Sequence, residues 1–199
     1  MKVELKRLGK KPFFSVTDED GEMLGLVDFE GRGKLFSDGG MTDESAIRAV
    51  VAESEKRIAR SHAYFLLSRR DYSTGELIKK LTELPVSREA AEAAVSALCE
   101  MGYVRDGDYS ERVALHYARG GYGPMKVSAE LKRRGFDGAT VDAALAFLEE
   151  EFDYVESARE TAERKFGALG ELTYEEKGKI TAYLARRGFT YGQAASALE

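Results

Sequence analysis

Three segments of this chain carry the same apolar code. With Leu81, Leu131 and Leu184 superimposed, Leu77, Val127 and Ile180 fall four residues back, and Val86, Phe136 and Phe189 fall five residues on. From that last position, offsets of five, nine and twelve give Ala91, Val95 and Leu98 in the first copy and Val141, Leu145 and Leu148 in the second. The third copy supplies Ala194 and Leu198. The anchor of the alignment is KRRGF at 132–136, which returns as ARRGF at 185–189. The spacing is helical, and a code written three times predicts small units that bury their apolar faces against neighbours.

The turn chemistry repeats with the code. Ser87, Asp137 and Thr190 follow the Val/Phe/Phe position, and each side chain can accept a hydrogen bond from the free N–H groups that open a helix. Gly135 and Gly188 stand where the preceding helix ends in a left-handed residue, and Pro85 stops it in the first copy. The preceding helices start at Ser73 with Glu76, at Gly123-Pro124, and at Thr173 with Glu176, the third about one turn longer. One further periodic segment lies upstream of each: AYFLLSRR, SERVALHYAR opened by Asp108 with Glu111, and SARETAERKFGAL opened by Asp153 with Glu156.

The first forty residues read differently. KVELKRL, PFFSVTD and MLGLVDF are short β-type runs separated by turn signals. Helical spacing begins in GGMTDESAIRAVVAESEKRIARSHAYFLLSRRD, with Thr42 as the expected N-cap, as one long helix or two in series. The predicted fold is mainly α: a β-rich segment at 1–40, a linking helix at 41–58, then three-helix repeats at 59–104, 105–152 and 153–199 in an elongated tandem array.

Composition narrows the function classes. The net charge of −5 over 199 residues rules out coating nucleic acid by bulk charge, so any such contact is local. Cys99 is the only cysteine, so no internal disulfide forms. MKVELKRLGK lacks the apolar run of a signal peptide or a membrane span, which makes the cytoplasm the expected compartment. GRGK at 31–34 lacks P-loop spacing, no Gly-x-Ser-x-Gly occurs, and His62 and His116 have no nucleophile partner. No catalysis, metal site or cofactor is expected.

Three ordered passages resemble the RecX regulatory proteins of bacterial recombination: AYFLLSRRDYSTGELIKKL at 63–81, MGYVRDGDYSERVALHYARGGYGPMKVSAELKRRGF at 101–136, and ITAYLARRGFTYGQAASAL at 180–198. They include the Leu-Ser-Arg-Arg start, the turn at Gly102, Tyr103 and Asp106, and the Gly-Pro before the second helix of copy two. Residues 1–58 match less clearly, so the β-rich segment is expected to be a lineage-specific addition. The resemblance implies a non-enzymatic, monomeric modulator. It would bind the RecA recombinase and the RecA–DNA filament, lie along the filament groove, and inhibit ATP hydrolysis, strand exchange and co-protease activity.

The residues themselves offer a basic surface to such a partner. Arg119, Lys126, Lys132, Arg133 and Arg134 cluster against Glu130, while 149–160 is acidic. Lys126 with Arg133, and Lys179 with Arg186, lie seven residues apart on one helical face. Two roles stay open for Arg133, Arg134, Arg186 and Arg187, and likewise for Arg69 and Arg70. Cations favour a helix C-terminus by about 0.3–1 kcal/mol, and guanidinium forks grip carboxylates or phosphates. Tyr122 is expected to be exposed in the GGYGP loop, and Tyr103, Phe136, Met101 and Met125 in the core. The rival readings are a passive repeat that binds an unrelated protein and a helix-turn-helix-like protein that binds DNA directly. Against the latter, the helices after Ser87, Asp137 and Thr190 open with mostly small or acidic residues. Weak DNA contact through the basic patches remains a secondary expectation.

Overall fold

The computed structural model describes residues 2–37 and 40–199, which fall into two compact units, Met1–Val104 and Arg105–Glu199. In the first, β1 (Val3–Arg7), β2 (Phe13–Asp18) and β3 (Met23–Asp28) form an antiparallel meander in that order. Alternation along β2 places Phe14 and Val16 on the face that meets Val27, Leu35, Ile47 and Val51. Phe13 points the other way, to Leu26 and Ile58. Helix α1 (Phe29–Phe36) follows at once, an element that the β reading of 1–40 did not contain. Its glycines weaken it on propensity, yet Gly31 is required by packing, because a Cβ there would overlap the Ser54 side chain.

Helix α2 (Glu44–Leu67) is one continuous helix of 24 residues. No glycine or proline occurs between 44 and 67, so the expected division at residue 58 falls inside it. Asp43, not Thr42, is the N-cap, and its carboxylate accepts the Ala46 N–H at 2.8 Å. The full negative charge at the positive end of the helix favours Asp43 over the neighbouring hydroxyl. The first half of α2 lies on the sheet through Ile47 and Val51. Its second half packs through Ala59 and Ala63 against Leu77, Leu81, Ala91, Val95 and Leu98, which belong to α3 (Thr74–Leu81) and α4 (Arg88–Glu100).

Polar groups tie these layers together. Glu55 is buried, and its two carboxylate oxygens accept the Leu26 N–H of β3 at 3.1 Å and the Ser87 N–H before α4 at 2.9 Å. The Arg57 guanidinium donates to both oxygens of Asp28, at 2.7 and 2.9 Å. Burial raises the Asp28 carboxyl, but hydrogen bonds from Arg57 and Gly31 outweigh it and leave the group below its ordinary value.

The second unit contains α5 (Asp106–Arg119), α6 (Pro124–Arg133), α7 (Gly138–Glu151), α8 (Tyr154–Phe166), α9 (Tyr174–Arg186) and α10 (Tyr191–Ser196). Repeats two and three share one core, in which Val127, Leu131, Phe136, Val141 and Leu148 join Ile180, Leu184, Phe189 and Leu198. The superimposed leucines Leu81, Leu131 and Leu184 are all fully buried. Ser87, Asp137 and Thr190 each cap as expected, accepting from Ala90, Thr140 and Gln193 N–H. Gly135 and Gly188 end their helices with φ of 78° and 91°. Asp108 does not open α5, which starts two residues earlier without a side-chain cap; Asp106 and Asp108 lie in its first turn, where their charge complements the helix dipole.

Candidate partner-binding surface

The second unit brings the two copies of Arg-Arg-Gly-Phe to different ends. In copy two, Glu130 is the hub. Its side chain is 11 % exposed and accepts from Arg133 Nη2 and Arg134 Nε at 2.6 and 3.0 Å and from the Tyr117 hydroxyl at 2.8 Å. The hydrogen bond from Arg133 is the largest cause, opposed by burial and aided by Tyr117 and Arg134, and the carboxyl is held at about 2. Arg134 is half-buried and also donates to the Tyr109 hydroxyl at 3.1 Å.

In copy three, the helix stop docks on copy two. The Met125 N–H donates to the Gly188 carbonyl and the Gly123 N–H to the Arg187 carbonyl, both at 3.0 Å. A Cβ on Gly123 would overlap the backbone of Gly188 and Phe189, and one on Gly188 would fall 2.5 Å from the Lys126 backbone. Arg187 lies over the Tyr122 ring at 4.7 Å and donates to the Tyr183 hydroxyl at 3.2 Å. Tyr122 is therefore half-buried in this seam, not exposed, because a guanidinium from the next repeat covers it.

Of the predicted cations, Arg119, Lys126, Lys132 and Arg186 are exposed and without an ion pair among the described residues. The seam sets the backbone of Lys126 in α6 against Gly188, which follows Arg186 of α9 by two residues, so each of the two repeats brings an exposed cation to the neighbourhood of the seam. The others are engaged locally. Arg133 and Arg134 are held by Glu130, Lys179 by Glu175 at 2.7 Å, and Arg187 by the two tyrosines. In the first unit, Arg69 covers the Phe65 ring, and Arg70 contacts Tyr72 and pairs with Glu76 at 3.2 Å. Met125, expected in the core, is exposed beside Lys126; Met101 and Tyr103 are exposed as well, Tyr103 standing edge-on to Tyr64 at 5.2 Å. Phe136 is buried as expected.

Family profiles meet this geometry at both repeats of the second unit. That of the second three-helix domain of RecX matches residues 106–145, and that of the third matches 152–198. The regulatory protein RecX of Stenotrophomonas maltophilia strain K279a is 41 % identical over 124 residues, which cover 62 % of this chain and 75 % of the relative. The chain belongs to the RecX family. Its Xanthomonas axonopodis pv. citri relative, strain 306, is 39 % identical over the same shares of both chains. A crystal structure of regulatory protein RecX shares the fold with a TM-score of 0.65 at 18 % identity, over 98 % of each chain. That overlay takes in the N-terminal segment, so the β-rich start is not an addition peculiar to this chain. The RecX of Lactobacillus salivarius matches 73 % of this chain and 96 % of its own, with a TM-score of 0.66 at 20 % identity.

Several residues that define the RecX seam had no signal in single copies of the repeat. Glu130 was legible by its spacing of three and four residues from Arg133 and Arg134. Tyr109 and Tyr117, whose hydroxyls hold Arg134 and Glu130, were not, because those partners lie on or at the end of another helix, whereas Tyr183 stands four residues before Arg187 and was open to the same spacing argument. Among the described residues no group of three His, Cys, Asp or Glu is placed to hold a metal, and no helix is long and apolar enough to cross a membrane.

Proposed function

We propose that this chain regulates the RecA recombinase by binding the RecA–DNA filament and inhibiting its ATPase, strand-exchange and co-protease activities. Membership of a family of regulatory proteins supports the reading that the chain acts on a partner. The observation that carries the reading is the seam, where Lys126 and Arg186 stand exposed from two successive repeats with Arg119 and Lys132 on the same unit. Unpaired cations held by rigid helices fit the carboxylates or phosphates of an acidic assembly, since no internal ion pair must be broken to engage them. The first turns of α4, α7 and α10 present mostly small or acidic side chains, and Arg88 of α4 is paired with Glu92 at 2.7 Å, which favours a protein–DNA filament over bare DNA as the target. The reading places the protein in the cytoplasm, with its target.

The test is the single-strand-DNA-dependent ATPase of purified RecA titrated with this protein. Sub-stoichiometric suppression is expected, together with co-sedimentation on RecA–DNA filaments and weak retention on DNA alone. Unchanged turnover at saturating protein rejects the proposal.

A further inference from the structure

The first unit carries a surface that the cationic seam does not use. Between the sheet and α2 runs an open groove of about 780 Å³, walled by Phe13, Phe29, Ile58, His62, Phe65 and Leu84. Its size lies in the range of built binding sites. Phe29 and Phe65 are 56 % and 52 % exposed, so two aromatic rings face solvent at its rim. Single exposed apolar side chains are ordinary, but a concave cluster of them marks a contact surface. Burial, then the neighbouring Lys11 ammonium, lowers His62 below its usual value, against a smaller opposing effect of Glu83.

The charged groups of the lining are unequally satisfied. The end of β1 and the β1–β2 turn, KRLGKK at 6–11, leave Lys6, Arg7, Lys10 and Lys11 exposed and without an ion pair among the described residues. Lys11 itself lines the groove and reaches over the Phe13 ring at 5.5 Å. Arg57, also in the lining, is instead paired with Asp28 and Glu30. We infer that this groove docks a protein segment with an apolar anchor flanked by acidic residues, the anchor lying between Phe29 and Phe65 and the carboxylates meeting Lys10 and Lys11. A nucleic acid fits less well: a peptide needs only a few carboxylates, placed beside Lys10 and Lys11, whereas a strand bearing phosphate at every step would also bring charge against Asp28 and Glu30. The proposal is independent of the seam and of its target.

The probe is a short fluorescein-labelled peptide in which one Phe and one Leu are flanked by Asp and Glu, titrated by polarisation with the full chain. Binding with Kd of about 10–100 μM is expected. Phe65→Ser, on the solvent side of α2, and the double reversal Lys10→Glu with Lys11→Glu should each raise Kd by about tenfold. Circular dichroism melts confirm that both variants fold. Loss of binding on changing Phe and Leu of the peptide to Ala, and weakening by salt, support the assignment. No binding at about 1 mM peptide overturns it. So does an unchanged Kd in Phe65→Ser, equal binding of a peptide with Lys in place of Asp and Glu, or preferential binding of an oligothymidylate that Phe65→Ser abolishes.

Discussion

The backbone N–H of Met125 donates to the carbonyl of Gly188 at 3.0 Å, joining the start of one repeat's second helix to the end of the next repeat's. Gly188 meets two demands there: a φ of 91° and contact with Lys126 too close for a Cβ. A left-handed non-glycine residue costs about 1–2 kcal/mol, and overpacking adds about 1–3 kcal/mol. Gly188→Ala should therefore destabilise the second unit by about 2–5 kcal/mol. Gly9→Ala, also at positive φ but in open space, should lose only the first part. Urea unfolding of both variants checks this; equal losses would remove the packing role of Gly188.

Glu130 gives the second unit a dependence on pH. Its carboxyl is held at about 2 against an ordinary 4.5. A depressed folded pKa contributes stability above the unfolded value and loses it as pH falls through the folded one, so the window runs from 4.5 down to about 2. Because Arg133 is 69 % exposed and screened, the contribution is about 1–2 kcal/mol. Glu130→Gln should lower the unfolding midpoint at neutral pH, and its gap from the parent should close as the parent carboxylate protonates. A gap that stays constant into strong acid assigns the loss to packing.

Removing the Glu55 carboxylate deprives two donors of their acceptor, the buried N–H of Leu26 and the partly buried N–H of Ser87. Glu55→Ala should destabilise the first unit by about 2–4 kcal/mol. Glu55→Gln keeps one acceptor oxygen and should lose less. Native-state hydrogen exchange at the Leu26 and Ser87 amides reads the effect directly, and unaltered protection of both would show that other contacts hold the two elements.

Charge reversal separates free cations from engaged ones. Reversing Arg119, Lys126, Lys132 and Arg186 together should weaken inhibition of RecA about tenfold or more while shifting Tm by less than about 3 °C. Arg134→Ala and Arg187→Ala should instead lower Tm, since each removes a cation packed on tyrosines. Full inhibition by the quadruple variant would move the contact face elsewhere.

The Tyr154 hydroxyl is buried without a hydrogen-bond partner among the described residues, and burial together with Glu149 pushes the phenol up to about 12. Tyr154→Phe keeps the ring, which stands edge-on to Phe152 at 5.1 Å, and removes the unsatisfied oxygen. The variant should be as stable as the parent or gain up to about 1 kcal/mol. A loss above that size would reveal a hydroxyl partner in solution.

Local rules read most of the framework correctly from sequence. Ser87, Asp137 and Thr190 cap, and Gly135 and Gly188 stop, because those roles depend on residues within one turn. What escaped depended on distant partners. Helix α1 persists although it contains two glycines, one of which is matched to Ser54 on another helix. Tyr122 is covered by Arg187, which lies far along the chain. The surface was half legible: exposure of Arg119, Lys126, Lys132 and Arg186 follows from helical phase, whereas the capture of Arg134 by Tyr109 required two packed helices and that of Arg187 by Tyr122 two packed repeats.

Helix α2 is written into two layers at once, its first half serving the sheet and its second half the first repeat. Residues up to Val104 therefore gain or lose their structure as a block. Anyone who trims the chain at residue 41 takes away a wall, not an ornament, and whoever grafts the first repeat elsewhere must carry the strands along with it.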